Sequence, residues 1–359
     1  MKGKKIGILT IHSVYNYGAM LQAYALDQYV KSIGFDSEII DYQPYHLCKD
    51  YQFFKRDLIL RPYIALAKIK NMLINGKISK KFDDFYYNEM SISSISYGTC
   101  QKLGNSEYDI LITGSDQIWN PHIVNSDDAY LLSFARNEQI KYAYSSSFGV
   151  SDIPDDWTKK VNDNLNKFEK IGVREDSGLN ILINSNVTVP TETVLDPVFL
   201  FDSNYWEELS CNDLNPIDKY LLVYSLEVNQ EMRLNAESIA KEKGLKIVTI
   251  HPFNDNYDFA DICINEAGPK EFLSLIRNAE YVVTNSFHGT VFSLIFDRPL
   301  NCILHSKTGT RMASIFSRFS LKPKSVSFSE REISIYEHND SSRVLMESIV
   351  LKCKNFLKL

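Results

Sequence analysis

No stretch of this chain approaches the ~18 consecutive apolar residues that a membrane-spanning helix needs. The opening "MKGKKIGILTIHSVYNYG" places basic residues before apolar ones, yet its apolar run stops at Ile11. That is short of the ~7–15 residues of a secretory core, so a soluble, cytoplasmic protein is expected. The six cysteines (Cys48, Cys100, Cys211, Cys263, Cys302 and Cys353) form no CxxC and have no histidine at metal spacing. A disulfide framework and a zinc site are therefore not expected, and no metal is implied. Positive charge is not in excess: the formal net charge is −6, which argues against nucleic acid as a partner. GxSxG, GxxxxGK[ST] and HExxH are all missing, which removes the hydrolase elbow, the P-loop and the zinc-protease helix.

What is there is globular. With 359 residues, 44% hydrophobic and 23% charged, the chain is long enough for two ordinary domains. Short apolar runs alternate with helical stretches. A first series of strands is expected at 5–11, 37–41, 109–113, 141–146, 170–173 and 193–195, and a second at 220–226, 246–250, 262–265, 281–285 and 300–304. Strands apolar throughout and separated by helices indicate parallel sheets covered on both faces. The expected fold class is α/β: two Rossmann-like doubly wound domains facing across a cleft. The expected division is 1–197, a linker at 198–218 interrupted by Pro216, 219–335, and a C-terminal helix within 336–359 that packs back on the first domain. One region departs from the acidic average. Residues 55–81, "KRDLILRPYIALAKIKNMLINGKISKK", hold eight Lys/Arg against one Asp among Leu, Ile and Met. This segment is a candidate for peripheral contact with an anionic membrane, set against the plainer reading of a solvated helix.

Four places put polar chemistry at the carboxyl end of an expected strand, where open α/β sheets bind ligands. In "HSVYNYGAMLQ", Asn16 and Gly18 open a helix whose N–H groups can hold an anion. In "YDILITGSDQIWNP", Gly114, Ser115 and Asp116 supply close backbone, a hydroxyl and a carboxylate, and Trp119 a stacking face. In "IGVREDSG", Glu175 and Asp176 suit a helix start, whereas Arg174 opposes the dipole there and needs an anion. In "NAEYVVTNSFHGTVFSLIFDRPL", Ser286, His288, Gly289 and Thr290 open a helix with the composition of an anion site. Downstream, "HSKTGTR" adds Lys307 and Arg311. Each motif also has a structural reading, as a cap or a buried turn. "GFDSEIIDY" carries acids where a dinucleotide fold would, but the first turn lacks GxGxxG, which argues against NAD.

Together and in this order, "GILTIHSVYNYGAMLQAYAL", "YDILITGSDQIWNP", "YAYSSSFG", "GVREDSG", "VLDPVFL" and "VVTNSFHGTVFSLIFDRPL" resemble the polysaccharide pyruvyl transferase family over nearly the whole chain. The resemblance implies a fold similar to B-type glycosyltransferases. It implies transfer of the pyruvate unit of phosphoenolpyruvate to a sugar as a cyclic ketal, on a cell-surface polysaccharide or a lipid-linked precursor. Phosphoenolpyruvate would be a substrate, and no cofactor is implied. Arg174 and His288 match family positions tied to donor binding and catalysis. On this reading Asn16, Gly18, Gly114, Ser115, Arg174, Ser286, His288, Gly289, Thr290, Lys307 and Arg311 are donor-side candidates. Asp116 joins Arg174 and His288 as catalytic, with Asp116 or Glu175 as acid or base. Tyr15, Tyr17, Trp119 and Glu175 are candidates for the acceptor surface. The alternatives are a B-type glycosyltransferase using a nucleotide sugar, and a non-catalytic sugar-binding component of a polysaccharide assembly.

Overall fold

The structure, a computed structural model, describes residues 3–48, 76–211, 214, 216–227, 230–250, 257–303, 310–329 and 331–358. These divide into two compact units, each built on its own parallel sheet. Among the described residues the first unit takes those up to Gly76, Tyr86–Leu200 and those from Val350 on; the second takes Lys77–Phe85 and Phe201–Ile349. The boundary between the units falls at 200/201, inside the expected linker 198–218. The 3-10 turn Pro197–Leu200 closes the first unit, and the helix Ser203–Leu209 opens the second.

In the first unit, seven strands are β1 (Lys5–Leu9), β2 (Asp36–Tyr42), β3 (Ile92–Tyr97), β4 (Ile110–Thr113), β5 (Ile140–Ser146), β6 (Lys170–Val173) and β7 (Thr191–Thr193). They run in the order β3-β2-β1-β4-β5-β6-β7, every pairing parallel. Apolar strands such as "ILIT" in β4, buried at all four positions, make the centre, because helices cover both faces. Strand β3 has no such run. Its "ISSISY" lies at the sheet edge and buries only Ser93 and Tyr97 fully, so the hydrophobic pattern does not announce it. Residues from Val350 on close this unit: the Leu195 N–H donates to Cys353 Sγ at 3.2 Å, and the Phe356 carbonyl accepts from Lys170.

In the second unit, five parallel strands are β8 (Tyr220–Tyr224), β9 (Lys246–Ile250), β10 (Ile262–Ile264), β11 (Tyr281–Thr284) and β12 (Leu300–Cys302), in the order β10-β9-β8-β11-β12. An antiparallel hairpin of β13 (Lys324–Phe328) and β14 (Arg331–Ile335) follows, which the sequence pattern did not indicate because β13 is mostly solvent-facing. Of the basic segment 55–81, residues 55–75 lie outside the described residues. In its described remainder, Lys77 pairs with Glu266 and Lys81 with Glu271, both within the second unit. Among the described residues no helix is long and apolar enough to cross a membrane.

Candidate functional site

The first unit gathers its polar motifs at the carboxyl ends of β1, β4, β5 and β6. Gly114 follows β4 with φ +128, and a Cβ there would collide with the Tyr144 carbonyl, so glycine is required. The Gly114–Ser115 peptide is cis. Every polar atom of Ser115 is engaged. Its N–H donates to Gln22 Oε1 (3.0 Å), its carbonyl accepts from Thr10 Oγ1 (3.0 Å), and its hydroxyl donates to Asp196 Oδ2 (3.2 Å). The same hydroxyl oxygen accepts from the Asp116 N–H at 2.6 Å. Asp116 adopts φ 69, left-handed backbone that aspartate tolerates better than most residues.

Arg174 leaves β6 into this cluster and is buried. Its Nη1 donates to Asp196 Oδ2 at 2.8 Å and its Nη2 to Asp116 Oδ1 at 3.1 Å, while Nε stands 4.0 Å from Glu175 Oε2. The anion that Arg174 was expected to need is supplied by carboxylates of the same unit. Burial by itself would lower the guanidinium pKa, but Asp116, Asp196 and Glu175 outweigh it and hold the group above its ordinary value. Glu175, the N-cap of the helix Asp176–Asn184, makes no side-chain cap bond. Its Oε1 accepts from Ser147 Oγ (2.9 Å), the Phe148 N–H (3.0 Å) and the Gly149 N–H (3.1 Å). Three carboxylates thus meet one cation. Only Asp116 reaches solvent, with a side chain 18% exposed against 0% for Asp196 and 2% for Glu175.

Several expectations for this unit change. Trp119 offers no stacking face: it is wholly buried, donates Nε1–H to the Tyr130 carbonyl (3.0 Å) and packs on Phe148. Glu175 is no acceptor contact either, being buried and held by three donors. Tyr17 is buried in the first turn of the helix Tyr17–Ser32, whereas Tyr15 is half-buried. Asn16 is that helix's N-cap, its Oδ1 accepting from the Ala19 N–H at 3.0 Å, and Gly18 is buried behind it.

Three polar residues here were not singled out from sequence. Gln22 Nε2 donates to Thr10 Oγ1, the Ile11 carbonyl and the Ala19 carbonyl, so one buried amide ties the helix to β1 and to Ser115. A glutamine inside the apolar run "AMLQAYAL" was the available signal. Asp196 stood in "VLDPVFL", and its Oδ1 accepts from the Val198 N–H at 3.2 Å. His12 is buried with both ring nitrogens against oxygen, the Thr10 carbonyl at 3.0 Å and Asp41 Oδ1 at 3.2 Å. Asp41 Oδ1 also accepts from Gln43 Nε2 (2.6 Å) and Tyr86 OH (2.8 Å). Burial raises the Asp41 pKa, but His12, Tyr86 and Ser96 outweigh it, leaving the carboxyl below its ordinary range. Elsewhere in this unit, Cys100, Asp127 and Asp128 bring potential ligand atoms within 4.8 Å of one another. Asp127 is already engaged by Tyr42 OH (2.6 Å) and the Ala129 N–H (3.1 Å).

In the second unit the helix Phe287–Ile295 starts directly after β11. Ser286 is its N-cap, with Oγ accepting from the Gly289 N–H at 3.3 Å. A Cβ on Gly289 would lie 2.5 Å from Thr284 Oγ1, so glycine lets the helix start close against the strand. His288 is buried in this first turn, edge-on to Phe287 with ring centroids 5.1 Å apart. Arg311, at the start of the helix Thr310–Arg318, lies over the same Phe287 ring, its guanidinium 5.3 Å from the ring centre. Thr290 turns inward, its hydroxyl 3.5 Å from both Cys302 Sγ and Met312 Sδ. Asn285 braces the preceding loop through the Leu226 N–H and the Glu227 carbonyl. Lys307 lies outside the described residues.

Solved structures share this fold. A UDP-GlcNAc 2-epimerase from Neisseria meningitidis, solved with UDP-GlcNAc bound, aligns over 99% of this chain and 94% of its own with TM-score 0.53 and 11% identity. A putative UDP-N-acetylglucosamine 2-epimerase from Listeria monocytogenes aligns over 99% and 89% with TM-score 0.51 and 11% identity. At such identities the likeness is one of fold: two doubly wound α/β units of the B-type glycosyltransferase kind. No curated protein sequence matches. The sequence model described as polysaccharide pyruvyl transferase matches residues 16–307, four-fifths of the chain, with Asn16, Asp116, Arg174 and His288 inside it, so the chain belongs to the polysaccharide pyruvyl transferase family.

Proposed function

We propose that the protein transfers the pyruvate unit of phosphoenolpyruvate to a saccharide of a cell-surface polysaccharide, closing a ketal on two hydroxyls. The observation that carries this reading is the family match over 16–307, which contains both the carboxylate-rich cluster of Arg174 and the helix start of His288. The donor has a carboxylate and a phosphate. The second unit has what such an anion needs: helix-start N–H groups, an imidazole and the Arg311 guanidinium, with no carboxylate in the helix's first turn.

In this reading the donor's methylene carbon takes a proton, and C2 becomes oxocarbenium-like. A sugar hydroxyl attacks C2 and gives up its proton. The C2–O bond to phosphate breaks with its electron pair, and phosphate departs. A second hydroxyl then closes the ketal and loses its own proton. His288 anchors the donor and moves a proton. Asp116 receives a hydroxyl proton, since it alone of the three clustered carboxylates has solvent access. Arg174 Nη2 donates to Asp116 Oδ1 and orients it, instead of waiting for the donor.

The test is phosphate release from phosphoenolpyruvate in the presence of saccharide acceptors, with the pyruvate-ketal mass gain read on the product. A related structure binds UDP-GlcNAc. If nucleotide sugars, and not phosphoenolpyruvate, raise the melting temperature, a glycosyltransferase replaces this reading. A lipid-linked acceptor is part of the same proposal, tested by comparing lipid-linked and free saccharides.

A further inference from the structure

The cluster around Arg174 holds more negative charge than an anion clamp would. Asp196 is wholly buried, and its Oδ2 takes Arg174 Nη1 (2.8 Å) and Ser115 Oγ (3.2 Å). Its Oδ1 takes the Val198 N–H (3.2 Å), so the side chain is pinned by the turn it starts. Asp116 depends on two of the groups that Asp196 grips. Its carboxylate is held by Arg174 Nη2 (3.1 Å), and its backbone N–H by the Ser115 hydroxyl (2.6 Å).

We propose that Asp196 is a positioning residue: it shares Arg174 with Asp116 and fixes Ser115 against the Asp116 backbone, so that Asp116 meets the acceptor hydroxyl in one orientation and with enough basicity to take its proton. The inference rests on the pyruvyl-transfer reading for the identity of the hydroxyl. The physical reason is competition. A guanidinium serving one carboxylate alone would hold that carboxylate's proton affinity low and make it a poor base. A second carboxylate on the other Nη offsets part of that field and adds like-charge repulsion. Arg174 faces Asp116 directly, and Asp196 and Glu175 are the other carboxylates seen on the same guanidinium. Glu175 keeps its Oε2 4.0 Å from Arg174 Nε, whereas Asp196 Oδ2 lies 2.8 Å from Nη1, which makes Asp196 the nearer tuning charge. In the step itself the donor's methylene carbon has taken a proton. The acceptor oxygen forms its bond to the resulting C2 cation, and its proton passes to Asp116. Phosphate then leaves with the C2–O bonding pair, renewing the cation that the second hydroxyl attacks.

The experiment uses the full chain and two readouts. The first needs no substrate: carboxyl-carbon NMR titration of Asp116 in wild type and Asp196→Asn. Asparagine keeps an oxygen for the Val198 N–H but no longer shares Arg174 as a charge. Asp116 should then titrate about one pH unit or more lower. The second is kcat against pH for phosphate release, with methyl glycosides of hexoses and N-acetylhexosamines as acceptors. In Asp196→Asn the acidic limb should move the same way, with kcat down about 10-fold and acceptor KM little changed. An unmoved Asp116 titration, or a kcat loss that only tracks the folded fraction, overturns the proposal. Should Asp196→Asn fail to fold, Ser115→Ala keeps every charge and cuts only the second route. Its kcat should fall several-fold with the acidic limb in place, and a wild-type kcat overturns the proposal. If wild type releases no phosphate with any acceptor, the pyruvyl-transfer reading fails, while the titration still decides whether Asp196 sets the ionisation of Asp116.

Discussion

Both units carry their polar motifs where a parallel strand runs into a helix, yet the two helix starts are filled in opposite ways. After β6, Glu175 and Asp176 stand at the helix start, and Arg174 is enclosed by carboxylates of its own unit. After β11, the helix start carries Ser286, His288 and Gly289, with Arg311 against Phe287 and no acid in the first turn. The same backbone architecture offers N–H groups in both places. Side chains decide the charge set beside those groups: carboxylates after β6, an imidazole and a guanidinium after β11. In the proposed reaction this contrast gives proton acceptance to the first unit and the donor's negative charge to the second.

The largest expected effect tests the second unit. His288→Ala should lower turnover by about 10²–10⁴-fold, with a melting temperature close to wild type. His288→Gln keeps a hydrogen-bond donor but shuttles no proton, so restored donor binding without turnover assigns proton transfer to the imidazole. Wild-type rates in both variants would take His288 out of the site.

Next is the first unit's cation. Arg174→Ala leaves buried carboxylates without their counter-charge and should cost about 3–5 kcal/mol of stability, read as a lower urea midpoint. Arg174→Lys should recover only part of this, because one ammonium cannot fork between Asp116 and Asp196. A raised KM for phosphoenolpyruvate at an unchanged midpoint would return Arg174 to the donor and erase the contrast between the units.

A smaller effect checks that the first unit's acids are held ionised by internal partners. The folded Asp41 carboxyl lies below its ordinary range. Its contribution is therefore complete above the unfolded value of about 4 and is lost as pH falls through the lower folded value. Asp41→Asn should cost about 1.5–3 kcal/mol at neutral pH. The gap between wild type and variant in urea midpoints should narrow below about pH 4. A gap constant with pH would mean that the Asp41 charge is not what His12 and Tyr86 recognise.

The smallest is the cap. Ser286→Ala should cost about 1 kcal/mol, since it removes the acceptor for the Gly289 N–H. If that freed N–H also serves the donor, phosphoenolpyruvate KM should change little while stability drops.

Much of the fold was legible because parallel strands announce themselves. "ILIT", "YLLVY" and "YVVT" carry no charge and no polar–apolar alternation, as a sheet covered on both faces requires. The strands that escaped, β3, β13 and β14, are edge or hairpin strands with exposed positions, where burial imposes no continuous apolar run. At the candidate site, Gly114, Ser115, Asp116 and Arg174 were marked by residue type and do meet in one cluster. Trp119 was marked by type too, and misleadingly, because an indole suits a buried core as well as a sugar.

By itself the sequence determined the two parallel sheets and the polar strand ends, since both follow from local patterns of period, turn chemistry and residue type. It also determined the family through the order of its motifs. Which charge answers which was decided only by the tertiary structure. Asp196 lies 22 residues from Arg174, and Gln22 93 residues from Ser115. Pairings at that separation depend on how strands neighbour in the sheet, where β1 lies beside β4 and β5 beside β6. A guanidinium buried among carboxylates and one awaiting a ligand have the same letter in the chain; the difference is the desolvated field around it.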